Sequence, residues 1–325
     1  MKISARLPRP VCRFPRLRPW FVRVLLLVLA SLALPLSAAP VPGEDDPHVL
    51  VLGRISDDPK AHYAQLKPLL DYVVAHMTEV GITGGRILMA RDARQMSSYL
   101  RRSRVDWVTE TAGTGTELQR RSGAQPLLLT ERGGTSAYHT LLFTRADSGI
   151  TSLADLRGKS VALQGVGSTS AYLMPAAMLI DAGLPMEILL SPQDRPDAAS
   201  VGYVFARSEL NIAAWVDKGM VDAGALSNLD WQDPQRVPAA FRANMRVLAQ
   251  SPDFPRALEM VRPGLDPRVR ARLRQVLLDA AQDPAAAVAM KRFFGTTRFL
   301  PLDSAALQGL DRVRDAAARV REQIE

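Results

Sequence analysis

The chain is poor in the residues that most chemistry needs. It has one cysteine, Cys12, and four histidines, His48, His62, His76 and His139, in 325 residues. One cysteine excludes an internal disulfide, so stability must come from a hydrophobic core. His62 and His76 fall on one helical pattern, but fourteen residues at about 1.5 Å each separate them by roughly 21 Å, too far for one metal ion. No G-x-S-x-G nucleophile elbow, G-x-x-x-x-G-K-[ST] phosphate loop or H-E-x-x-H pair occurs, which removes three common classes of enzyme. Acidic residues are missing altogether up to Ala38.

That last absence explains the charge. The chain carries 41 Lys and Arg against 33 Asp and Glu, a net +8. Seven of the basic residues, Lys2, Arg6, Arg9, Arg13, Arg16, Arg18 and Arg23, precede Ala38; without them 34 basic residues face 33 acidic ones. A near-neutral body has no excess of cations to displace a polyanion's counterions, so nucleic acid is not an expected partner. The basic start, the apolar run from Val24 to Leu36 and the small residues Ser37-Ala38-Ala39 read as a secretory signal peptide over residues 1–38, cut after Ala38. The run is shorter than the roughly 20 residues of a bilayer span, although extension back to Phe21 through Arg23 leaves an uncleaved anchor as the alternative. Cys12 would leave with the leader, and no cofactor is implied. The 287 residues that follow suffice for two lobes or for one large domain.

In that body, short β-rich runs alternate with helical patterns. His48–Gly53, Arg86–Ala90, Val105–Val108 and Pro126–Thr130 read as strands. Lys60–Thr78, with Leu66, Leu69, Leu70, Val73 and Met77 inward, reads as a helix, as do Asp92–Arg101 and Thr116–Arg121. A second series follows: strands at Tyr138–Arg145, Lys159–Leu163, Met186–Leu190 and Val221–Ala225, with helices within Ser168–Ala182 and over Ser208–Val216. Asp266-Pro267 predicts a capped helix start, and Asp303 another, with Leu307, Leu310, Val313 and Val320 on one stripe. The order predicts an α/β fold of mostly parallel sheets, with ligands at the carboxyl ends of strands.

One segment carries chemistry: Leu163-Gln-Gly-Val-Gly-Ser-Thr-Ser-Ala-Tyr-Leu-Met-Pro175. Gly165 and Gly167 permit a tight turn after a strand. Ser168, Thr169 and Ser170 then put hydroxyls where helical N–H groups are free, a setting that suits a phosphate-like oxyanion. The alternative is that one serine simply caps the helix. Pro175 either kinks this helix or marks a later start.

The stretch Ser148-Gly-Ile-Thr-Ser-Leu-Ala-Asp-Leu-Arg-Gly-Lys-Ser-Val-Ala, followed by Gly-Ser-Thr-Ser-Ala-Tyr-Leu-Met-Pro, resembles the phosphate/phosphite/phosphonate substrate-binding proteins of ABC transporters. Val221-Asp-Ala-Gly and Ser251-Pro-x-x-Pro extend the likeness, which also runs back through Val105-Asp106 and Tyr138. The resemblance implies a two-lobed type 2 periplasmic binding protein fold, each lobe a mixed, mostly parallel sheet flanked by helices. Lobe one would span 39–145, lobe two 146–243, and 244–325 would supply a return strand and the C-terminal helices of lobe one. It further implies that Ser168, Thr169 and Ser170 donate to an oxyanion, with Gly167 in the same turn and Tyr138 lining the cleft near the hinge. Thr109 and Glu110, at the end of the Val105-Asp106 strand, are further cleft candidates.

Departures from the family pattern are as informative. Glu209 follows Ser208 where the family has histidine, and a carboxylate there would repel a dianion unless one partner is protonated. Ala257 replaces an expected aspartate, and Leu229 or Asp230 falls where phosphonate binders have an acid, which disfavours an aminophosphonate. The expectation is a non-catalytic, monomeric periplasmic protein that closes over a small anionic ligand and delivers it to an ABC permease. A sensor module signalling to a membrane kinase is the alternative, and an enzyme on the same fold the remote one.

Overall fold

The computed structural model describes residues 46–324. The leader, its cleavage site and Cys12 lie outside the described residues.

Strand β1 (Val49–Ile55) buries Leu50, Val51 and Leu52, as a strand covered on both faces must. Asp58 then accepts the Ala61 N–H at 3.0 Å and caps α1 (Pro59–Ala75). The residues expected to face inward, Leu66, Leu69, Leu70, Val73 and Met77, are all inaccessible to solvent, each worth about 1.5–3 kcal/mol of burial. Next come β2 (Gly84–Ala90), α2 (Ala93–Arg101), β3 (Trp107–Glu110), α3 (Ala112–Ser122) and β4 (Gln125–Arg132). Helix α3 starts four residues earlier than its pattern predicts. Its Gly113 and Gly115 serve close packing instead of breaking the helix, since a Cβ on Gly115 would meet Leu258 at 2.9 Å.

The chain crosses over through β5 (Ala137–Tyr138) into β6 (Thr140–Arg145). There it builds β7 (Ser160–Leu163), a π-helical turn (Thr169–Leu173), α4 (Met174–Asp181), β8 (Met186–Ile188) and β9 (Val201–Phe205). After these follow α5 (Glu209–Asp217), β10 (Ala223–Ser227), α6 (Asn228–Gln232), α7 (Ala239–Ala243) and β11 (Met245–Gln250). Strand β9 has no counterpart among the expected strands. Its Gly202 weakens the strand signal, yet a Cβ there would stand 2.6 Å from Leu189. The chain returns through β12 (Phe254–Pro255) to β13 (Leu258–Val261), α8 (Pro267–Asp279), α9 (Ala287–Arg292), β14 (Thr296–Leu300) and α10 (Ser304–Ile324).

Two six-stranded sheets result, ordered β14-β4-β13-β3-β1-β2 and β11-β6-β10-β7-β9-β8. In the first, β13 runs antiparallel to both β3 and β4, so β1 to β4 are mutually parallel. In the second, β7 to β10 are parallel, and β6 runs antiparallel to β10 and β11. Because β6 and β11 pair with each other inside the second sheet, the crossings fall at 138–140 and 251–254 and not near 145 and 243. The ribbon β5–β12 joins the two bodies, with Tyr138 edge-on to Phe254 at 4.8 Å.

Helix α10 packs on α3 of the first body, on α4 and the π turn of the second, and on β12 between them. It is tied to both by Arg321–Glu117 at 3.6 Å and Arg319–Asp181 at 2.8 Å. Its buried stripe is Ala306, Gly309, Leu310, Val313, Ala316 and Val320. Leu307, expected on that stripe, is 50% exposed, because the small residues turn the helix so that Gly309 can lie against Pro255 and Phe254. Among the described residues no helix is long and apolar enough to cross a membrane.

Candidate functional site

Strand β7 ends at Leu163, and its exit turn is closed by the Ser168 N–H donating to Gly165 O and the Gln164 N–H to Ala171 O, both at 2.9 Å. Neither Gly165 nor Gly167 has a positive φ, and a Cβ on either would meet nothing within 4 Å. The turn thus uses neither glycine for a left-handed backbone or a close approach. Ser168 Oγ accepts the Ala171 N–H at 3.1 Å, so this residue is the helix cap. The backbone next winds as one wide π turn, the Leu173 N–H reaching Ser168 O at 3.0 Å, before α4 begins. Pro175, lacking an N–H, sits in the first turn of α4. The π turn relieves the clash its ring would otherwise make with the carbonyl four residues back.

Thr169 and Ser170 are buried. Thr169 Oγ1 accepts the Gly113 N–H at 2.9 Å. Gly113 lies in the first turn of α3, so an unsatisfied donor at one helix start is met by a hydroxyl from another helix start in the opposite body. Ser170 is hydrogen-bonded through its side chain to Tyr138, and its carbonyl accepts from Thr140 Oγ1 at 2.8 Å. Burial pushes the Tyr138 phenol up, only partly offset by the Ser170 bond. The turn, the hinge tyrosine and the start of α3 thus form one polar ring.

Two further sequence candidates have partners of their own. Thr109 is fully buried and donates to Glu259 Oε1 at 2.8 Å. Glu259 also takes Thr130 Oγ1 at 2.6 Å and Trp107 Nε1 at 2.6 Å, and burial pushes its carboxyl up to about 7. Glu209 accepts from Gln164 Nε2 at 2.7 Å and pairs with Arg236 at 2.9 Å, so it is not a bare repelling charge. Although burial pulls the other way, Glu209, Asp230 and Asp233 together hold the Arg236 guanidinium above its ordinary pKa.

In the first body the candidate Glu110 stands beside two arginines that sequence reasoning did not select. Arg54, the next-to-last residue of β1, donates to Thr109 O at 2.7 Å and pairs with Glu110 at 3.0 Å. Glu110 is buried, which pushes its carboxyl up against the pull of Arg54 and of the Ile55 N–H. Arg132 ends β4, and its carbonyl accepts from Arg256 Nη1 at 2.6 Å. The Arg54 and Arg132 guanidinium groups lie 5.1 and 4.6 Å from the centre of the Phe294 ring. The missed signal is positional: both arginines occupy the carboxyl ends of parallel strands, where ligands bind in such sheets. Among the described residues no cluster of three or more His, Cys, Asp or Glu could hold a metal.

A sequence profile described as the periplasmic substrate-binding protein of phosphonate ABC transporters matches residues 53–307. XAC2383 from Xanthomonas citri bound to chloride is 54% identical, with TM-score 0.81 over 85% of this chain and all of that one. The same protein bound to ATP is 53% identical, with TM-score 0.81 over 86% of this chain and all of that one. Phosphate-import protein PhnD of Mycolicibacterium smegmatis is 32% identical over 137 residues, 36% of this chain and 41% of that protein. PhnD1 from Prochlorococcus marinus in complex with methylphosphonate shares the fold at 15% identity, with TM-score 0.62 over 85% of this chain and all of that one.

Proposed function

The chain belongs to the periplasmic substrate-binding protein family of phosphonate ABC transporters, and from that premise we propose that it captures a small oxyanion, phosphate, phosphite or a phosphonate, between its two bodies and delivers it to an ABC permease. The observation that carries this reading is the convergence of two helix starts at Gly113 and Thr169. Each helix start carries partial positive charge, and an anion bound beside this contact would touch both bodies at once. A ligand with that double contact favours the shut form by its differential affinity. A relative more than half identical, seen bound to chloride and, separately, to ATP, supports an anionic guest. The pairing of Glu209 with Arg236 supports it too, since it removes the repulsion that an acid beside the turn would exert.

Isothermal titration with phosphate, phosphite, methylphosphonate and sulfate tests the reading, alongside Ser168→Ala and Thr169→Ala. A loss of about tenfold or more in at least one variant is expected, and unchanged affinity in both would remove the site. Residues 1–38 are the proposed export leader. The mass of protein recovered from the periplasm, expected to begin at Ala39, tests that part independently, and a full-length mass would overturn it.

A further inference from the structure

Arg132 is the one residue among the described residues with two buried side-chain nitrogens, Nε and Nη2, that meet no acceptor, and Nε of neighbouring Arg54 is a third such donor. Both guanidinium groups lie against the ring of Phe294, a non-glycine residue held at φ 54°, a backbone state that persists only where the surroundings enforce it. The carboxylates within reach are already engaged: Glu110 by Arg54 and the Ile55 N–H, Glu259 by three donors. Arg256 adds a third cation, bonded to the carbonyl of Arg132. Burial and the charge of Arg54 pull the Arg132 guanidinium down to about 10. Arg54 has Glu110 as counterion, but the buried Arg132 nitrogens meet no acceptor, and leaving them so costs free energy that an incoming anion would offset. Arg54's partner Glu110 lies three residues before Gly113, so the cluster and the Thr169 contact are joined through the short segment that leads into α3.

We propose that Arg54 and Arg132, stacked on Phe294, are a second anion-binding point, and that the ligand therefore bears two linked phosphoryl groups, a phosphoanhydride in place of a lone orthophosphate. This rests on the function proposed above, with the Ser168–Ser170 turn taking one phosphoryl group and the planar guanidinium forks the other.

The test titrates inorganic phosphate and inorganic pyrophosphate separately into the full mature protein and into Arg132→Met, Arg132→Lys and Thr169→Val. The wild type is expected to prefer pyrophosphate at least tenfold. Arg132→Met should bring that ratio within threefold, whereas Thr169→Val should weaken both anions and preserve the ratio. Thermal melting accompanies each variant. An apolar side chain replacing a buried unpaired cation is expected not to lower Tm, and if Arg132→Met does not fold, Arg132→Lys must still reduce the ratio at least threefold. A wild-type ratio below threefold, or one that neither Arg132 variant changes, overturns the second point while leaving oxyanion capture intact. Absence of binding by both anions would overturn the parent reading as well.

Discussion

Gly113→Ala isolates the step in which the two bodies meet. A Cβ at this position would stand 2.7 Å from Thr169 Oγ1 and 3.0 Å from Leu173 Cδ2. An ordinary contact needs about 3.5 Å, so the bodies would have to part by roughly 0.8 Å. Overpacking of this kind costs about 1–3 kcal/mol, and under the proposed closure that cost would fall on the shut form. That corresponds to a loss of affinity of roughly 5- to 150-fold. The open, ligand-free protein pays nothing comparable: Gly113 has no positive φ, and alanine in a helix is favoured over glycine by roughly 0.5–1 kcal/mol. The expected signature is therefore a split, with Tm of the free protein unchanged or raised and affinity lowered. Titration calorimetry, thermal melting and small-angle scattering with and without anion read the three quantities. A variant that binds like the wild type and compacts equally would refute the idea that this contact belongs to closure.

Three further outcomes are expected. Ser168→Asp should keep the cap on Ala171, and hence stability in urea, while its added negative charge lowers oxyanion affinity more than tenfold; Ser168→Ala should instead cost about 1 kcal/mol of stability. Glu259 has a folded pKa of about 7 against about 4.5 in the unfolded chain, so the native state holds the extra proton between those values. Its contribution to stability is therefore complete below about pH 4.5 and lost as pH rises through 7, a fall on the order of 3 kcal/mol; Glu259→Gln should flatten that slope in urea denaturation measured from pH 4.5 to 8. Arg236→Met should strip Glu209 and Asp230 of their partner and weaken anion binding about tenfold, with Glu209→Gln in the same chain restoring much of the loss, as titration would read.

Strand and helix patterns in the first body were legible because periodicity reports burial: the five residues assigned to the inner face of α1 are all inaccessible. Strand β9 was not, since Gly202 serves its neighbour Leu189 and not its own strand. Within the site, the Ser168–Ser170 block was legible as hydroxyls at a helix start, but one sequence cannot say which hydroxyl caps and which reaches across. That division, with Ser168 capping and Thr169 bridging, is set by the π turn. The arginines stayed hidden because a lone Arg at a strand end looks like solvated charge until distant segments bring it beside Phe294. The burial of Thr109 was hidden for a similar reason: its partner, Glu259, is 150 residues away.

Helix α10 leans on both bodies and on the ribbon between them, so rotation about the ribbon drags one flank of that helix against a neighbour. Its exposed side, where Leu307 faces water, would then translate guest uptake into displacement on the outside of the molecule, far from the mouth. A fluorophore fixed at Leu307 would make the binding event visible without touching the pocket, and a bulky carboxyl-terminal fusion would act as a brake on the same movement.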